Sequence, residues 1–141
     1  MKFSTKSRYA IMAVVDMGIH SDGHPVSLYK ISLRQNIALN YLEQIFMKLK
    51  RAGIVSSVRG PGGGYVLNGP LESLKLSSVI SAVEGSFKMT RCSKNFKCTS
   101  TGGRCSTHAV WAGLGKAVFG YFDSISVQDV ARSFSVEETQ I

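Results

Sequence analysis

The chain has 141 residues, 44% of them apolar and 18% charged, enough for one ordinary domain, or a small domain with an appendage, around a real core; a disordered chain is excluded. Its formal net charge of +8 is uneven: residues 1–67 carry nine Lys or Arg against three acids, and residues 68–141 carry eight against six. The basic half points to a polyanionic partner.

Lys2, Lys6 and Arg8, followed by the apolar run Tyr9 to Ile19, loosely imitate a secretory signal, but Asp16 interrupts the run and no small-x-small cleavage site follows. Ala10, Ala13, Val14 and Met17 recur instead at i, i+3, i+4, i+7, which predicts an amphipathic helix packed on a core. Ser21-Asp22-Gly23-His24-Pro25 ends that helix, and Ser27 is suited to cap a short second one that turns Leu28 and Ile31 inward. Asn36 tolerates the left-handed conformation of a tight turn. A third helix is expected from about Leu39 to Ala52, with Leu42, Ile45, Phe46 and Leu49 buried and Asn40, Glu43, Gln44, Met47, Lys48 and Arg51 outward. Two short helices joined by a tight turn, the second presenting amides and bases, read as a helix-turn-helix.

Ile54 to Arg59 then predicts a strand, Gly60-Pro61-Gly62-Gly63-Gly64 a loop, and Tyr65-Val66-Leu67 a returning strand. A hairpin with Arg59 at its tip suits a narrow minor groove beside the helix-turn-helix. It is not a phosphate-binding loop, since no Gly-Lys-Ser/Thr step follows the glycines. After Asn68-Gly69-Pro70, a small helix capped by Ser77 is expected to run through Val79, Ile80 and Val83 to Gly85.

Cys92, Cys98, Cys105 and His108 come next, in the pattern C-x5-C-x6-C-x2-H, and these are all the cysteines of the chain. An odd number of thiols with no signal peptide argues against a disulfide framework. Structural zinc sites bring ligands in pairs two to four residues apart, a spacing only Cys105 and His108 have. The wider gaps, with Gly102 and Gly103 to let the backbone approach, favour a 2Fe-2S cluster over zinc, or over thiolates stabilised by Arg91, Lys94, Lys97 and Arg104. Cys105 and His108 share a face if the following helix has already begun.

That helix carries Trp111, Leu114, Val118 and Phe122 on one stripe, and Ala109, Val110, Ala112, Ala117, Phe119 and Tyr121 leave little of its circumference polar. A chain this small lacks the mass to enclose such a helix, so it is expected to form a homodimer. The run Ala109 to Phe122 contains Lys116 and is too short to span a bilayer, so a soluble, cytoplasmic protein without a membrane partner is expected. Ser126 is suited to cap a short last helix through Val130, with a frayed tail from Ser133.

Ser7-Arg8-Tyr9-Ala10, Tyr41-Leu42-Glu43-Gln44, Val55 to Tyr65 with its Arg59-Gly60-Pro61-Gly62-Gly63-Gly64 core, Val79 to Glu84, and Arg104 to Trp111 together resemble, over nearly the whole chain, the IscR-like iron-sulfur cluster regulators. These bacterial winged-helix transcription factors also include nitric-oxide-sensing (NsrR) and iron-responsive (RirA) members. The resemblance implies a mainly α fold with a small β-hairpin wing: a winged helix-turn-helix DNA-binding domain over 1–67, a connecting helix and loop over 68–91, a cluster-binding loop over 92–108, a dimerisation helix and short C-terminal helix over 109–133, and a flexible tail over 134–141. It implies Cys92, Cys98, Cys105 and His108 as 2Fe-2S ligands, loaded by the iron-sulfur assembly machinery, and a dimer with its recognition helices in successive major grooves of double-stranded promoter DNA. The function implied is repression of cluster-assembly genes, or nitric-oxide or redox sensing within the same family. The histidine after the last cysteine speaks for the IscR branch.

Two departures stand out. The Cys98–Cys105 gap is one residue longer than the family pattern, and Ala38 and Asn40 stand where serines are usual. Asn40, Glu43 and Gln44 are assigned to base edges and Arg59 to the minor groove, while Lys6, Arg8, Tyr41, Lys48 and Arg51 are assigned to phosphate. Glu43, an anion among phosphates, is expected to penalise wrong sites. An electron carrier would leave the basic helix-turn-helix unexplained, a zinc-stapled regulator would account for both halves, and no nucleophile with a base, or open metal position, suggests an enzyme.

Overall fold

The computed structural model describes residues 2–85, 98–99 and 102–139. Helix α1 (Thr5–His20) opens at Ser4, whose hydroxyl accepts from Ser7 N. Its Ala10, Ala13, Val14 and Met17 are all completely buried, as their spacing predicts. Asp16 breaks the apolar pattern and is nonetheless 1% exposed. Two charge-assisted bonds from Arg34, at 2.6 and 2.9 Å, and one from Gln35 Nε2 at 2.9 Å satisfy its carboxylate, and the pairing pushes the Arg34 guanidinium still higher. That clamp fixes α2 (Leu28–Gln35) against α1.

Ser27 caps α2 through Lys30 N. Asn36 ends it in the left-handed region at φ 53°, ψ 48°, and the turn is tied by Ser32 Oγ donating to Ile37 O at 2.6 Å. Helix α3 (Leu39–Arg51) buries Leu42, Ile45, Phe46 and Leu49 as expected. Strands β1 (Val55–Val58) and β2 (Gly64–Leu67) pair antiparallel, with Val55 opposite Leu67 and Val58 opposite Gly64. Val26 exchanges two bonds with Tyr65, at 2.9 and 2.8 Å, so the segment before α2 seals the outer edge of β2. This close approach explains Gly64, where a Cβ would collide with the Val26 carbonyl; at Gly63 a Cβ would collide with the Val58 carbonyl of its own hairpin.

Helix α4 (Leu76–Glu84) starts two residues earlier than expected. Its N-cap is Lys75, whereas Ser77 is buried inside the first turn and donates to Asp123 Oδ1 at 2.6 Å. The reason is tertiary, because Leu76 N bonds Ile125 O and Val127 N bonds Leu74 O, pinning the starts of α4 and α6 together. Helix α5 (His108–Asp123) precedes α6 (Val127–Thr139). Ser126 caps α6 reciprocally with Asp129, as Ser126 N reaches Asp129 Oδ2 at 2.9 Å and Asp129 N reaches Ser126 Oγ at 3.1 Å. These bonds hold the Asp129 carboxyl below the usual range. The helix continues to Thr139, well past Val130 and Ser133, where the sequence suggests its end; Val127 and Ala131 anchor it on the core, and it packs against α1.

The core joins α1, α2, α3, β1 and α4 with Val127 of α6. Phe46 packs against Tyr65 with ring centroids 4.9 Å apart and the planes tilted by 59°, so the third helix and the hairpin form one unit.

Candidate nucleic-acid interface and metal centre

Helix α3 divides cleanly, because burying Leu42, Ile45, Phe46 and Leu49 turns Asn40, Glu43, Gln44, Met47 and Arg51 to solvent. Ala38, the N-cap, supplies no side-chain bond. Asn40 Oδ1 accepts from Tyr41 N at 3.0 Å, sharing an amide proton that Tyr41 N also gives to Ala38 O at 3.1 Å. A bidentate pair between Asn40 and adenine would compete with that bond.

Tyr41 and Lys48, assigned to phosphate from sequence, are both half-buried. The Tyr41 ring packs edge-on against Tyr9, centroids 5.5 Å apart. Lys48 Nζ donates to Val83 O at the end of α4, at 3.1 Å. Lys6, half-buried on α1, lies beside it, and the two ammoniums repel, pushing Lys48 below the usual lysine range. Glu84 completes this meeting of α1, α3 and α4. It accepts from Ser7 Oγ at 2.6 Å, and the hydroxyls of Ser4 and Ser7, aided by Lys6 and Lys48, hold its carboxyl below the usual range.

Ser7 and Glu84 were not foreseen as site residues. A signal existed: Ser7 stands three and seven residues before Ala10 and Val14, on the apolar face, where a hydroxyl needs a polar partner. Lys50 was also missed. Its Nζ donates to Ser57 Oγ at 2.8 Å and braces β1 against α3. Arg8 and Arg59 are exposed, Arg59 at the start of the turn that Gly63 N closes onto Gly60 O.

At the second site the described residues bring Cys98 Sγ within 2.9 Å of His108 Nδ1. Two local turns achieve this. Cys98 N and Thr99 N both bond Gly103 O, with Gly102 in the left-handed region at φ 87°, and His108 N bonds Cys105 O at 3.1 Å. Cys105 therefore sits on a turn just before α5, not on the helix, and its Sγ lies 3.8 Å from Thr107 Oγ1. Trp111 Nε1 reaches the same hydroxyl at 3.1 Å. A thiol and an imidazole paired at one helix start, with Cys105 on the turn just before it, are donor types that suit a soft metal centre. Cys92 lies outside the described residues, and among those described no three or more His, Cys, Asp or Glu side chains converge on one point.

No residue of α5 is buried: Val110 is 61%, Trp111 39% and Tyr121 64% exposed. Among the described residues no helix is long and apolar enough to cross a membrane.

Residues 3–133 match the model of the Rrf2 family, described as iron-dependent transcriptional regulators. The chain belongs to the Rrf2 family. It is 43% identical over 136 residues to the HTH-type transcriptional regulator IscR of Photorhabdus laumondii, covering 96% of this chain and 82% of that one. Among solved structures, IscR of T. potens superposes with a TM-score of 0.77 at 35% identity, covering all of this chain and 92% of that one. CymR, the global cysteine regulator of B. subtilis, also gives 0.77, at 28% identity over 94% of this chain and 98% of that one. The chain is thus an IscR-type winged-helix transcriptional regulator of the Rrf2 family, and not an enzyme. DNA binding through α3 and the β1–β2 wing fits this membership.

Proposed function

We propose that this regulator carries a 2Fe-2S cluster on Cys92, Cys98, Cys105 and His108 and, as a cytoplasmic homodimer, represses iron-sulfur cluster assembly genes from a pseudo-palindromic promoter site. The pairing of Cys98 Sγ with His108 Nδ1 at the start of α5 carries the reading, supported by the IscR-named relatives. When bound, the cluster supplies a removable, redox-active charge next to the helix proposed to join the two protomers. The iron-sulfur assembly machinery is the donor. Residues 1–67 form the DNA-binding part, 68–91 the connection, 92–108 the cluster loop and 109–133 the dimer contact, with α6 extending this last part to Thr139.

Each residue then has a definable task. Glu43, Gln44 and the amide of Asn40 read base edges, Arg59 enters the minor groove, and Lys6, Arg8 and Arg51 meet phosphate. Lys48 joins them with the protons not given to Val83 O, and Tyr41 only through its rim, its ring being held by Tyr9. His108 contributes a neutral donor in place of a fourth thiolate, which makes the cluster easier to lose and its occupancy sensitive to supply.

Iron and acid-labile sulfide analysis of protein made and kept without oxygen tests the cluster, with about one 2Fe-2S per chain expected. Stoichiometric zinc without sulfide would overturn it. Selection from randomised duplexes tests the DNA reading, and recovery of no symmetric motif, with or without cluster, would overturn that. His108→Cys should assemble the cluster at a lower reduction potential, since an added negative charge disfavours the reduced state. Equal potentials, with equal rates of loss to a chelator, would move the fourth ligand elsewhere.

A further inference from the structure

Met47 stands out on the solvent face of α3. Asn40, Glu43, Gln44, Met47 and Arg51 follow one another at helical spacing along this face, and four of the five are polar or charged. Met47 is 50% exposed and belongs to no part of the core. A single exposed apolar side chain is ordinary on most surfaces. Its neighbours make this one different.

Lys48 is drawn back to Val83 O at 3.1 Å and Lys50 to Ser57 Oγ at 2.8 Å. Both lysines flanking Met47 are therefore bent toward α4 and β1. The thioether is left forward between them, one turn beyond Glu43 on the face assigned to bases.

A methionine placed there cannot recognise a base by hydrogen bonding to its edge, because it has no donor and only a weak acceptor. It is well suited to an apolar contact, being unbranched, polarizable and able to fit an irregular surface. The major groove offers one apolar group, the C5-methyl of thymine. We propose that Met47 is a specificity-determining residue that recognises a thymine methyl in each half-site, beside the base pairs read by Glu43 and Gln44.

This rests on α3 being the base-reading helix, so the test separates the two. Thymines in the duplex recovered by selection are replaced one at a time by deoxyuridine, which removes the methyl and leaves every hydrogen-bonding group in place. Wild type should lose about fourfold in affinity at one thymine per half-site, the equivalent of one buried methyl group. Met47→Ala should bind the thymine and deoxyuridine duplexes alike, and Met47→Leu should keep the discrimination. Unchanged wild-type affinity at every deoxyuridine, or discrimination that survives in Met47→Ala, overturns the assignment. The base-reading role of α3 fails on a different result: a selected motif left unchanged by Glu43→Ala and Gln44→Ala.

Discussion

Helices α3 and α5 face the same problem and solve it differently. In α3, four large apolar side chains lie on one stripe, and all four are buried by the chain's own α1, α4 and hairpin. In α5, apolar residues run nearly all round, and none is buried. The stripe of α3 is narrow enough for one small domain to cover, whereas α5 presents more apolar surface than α4 and the α6 start can reach. A narrow stripe is completed within the chain; a broad one asks for a second chain. The proposed dimer and the proposed DNA face thus come from opposite kinds of helix.

Phe46→Ala should break the α3 side of this contrast most strongly. It deletes a fully buried ring that also packs on Tyr65, and unfolding in urea should show a loss of about 3–5 kcal/mol. A smaller loss is expected from Glu84→Gln, where α3 meets α1 and α4: about 1 kcal/mol near neutral pH, a modest figure for a half-buried group that water partly screens. The sign of its pH dependence follows from the shift. The Glu84 carboxyl is held below its usual range by Ser4 and Ser7, so its contribution is complete above the unfolded-state value and disappears as pH falls through the folded one. Unfolding curves of wild type and variant should therefore differ most at neutral pH and converge in acid.

Trp111→Ala should have the smallest effect on folding, under about 1 kcal/mol, because the ring is 39% exposed. It should instead raise the dimer dissociation constant, measured by sedimentation. A variant that loses fold and keeps association would reverse the comparison and make α5 a core helix.

Much of the α3 side was legible in the residues. The spacing of Leu42, Ile45, Phe46 and Leu49, the left-handed Asn36 and the glycine-rich hairpin each express a local rule, helical period or turn chemistry, that needs no distant partner. The gathering of Cys98 and His108 was legible too, since ten residues rich in glycine can close a short loop. Cap positions were less so. Ser77 has the chemistry of an N-cap, yet the bond between Leu76 and Ile125 moves the helix start to Lys75 and gives Ser77 to Asp123. The length of α6 was underestimated although Val127, Val130, Ala131 and Phe134 keep the i, i+3, i+4, i+7 spacing past Ser133; only Val127 and Ala131 are buried, so the later turns rest on the part of the helix anchored to the core.

What the residues determined alone is therefore the element order, the faces of α1 and α3, the basic N-terminal half and the thiol-imidazole donor set, all properties of short segments. What only the tertiary structure decided is which polar groups are spent on the fold. Lys48 and Lys50 look like free bases in the sequence, but one bonds Val83 O and the other Ser57 Oγ. Asp16 looks like an interruption and is the buried end of a clamp on Arg34 and Gln35. Each of these partners lies between seven and thirty-five residues away along the chain. A side chain's charge is local, whereas its partner is set by packing, and packing is decided by the whole core at once.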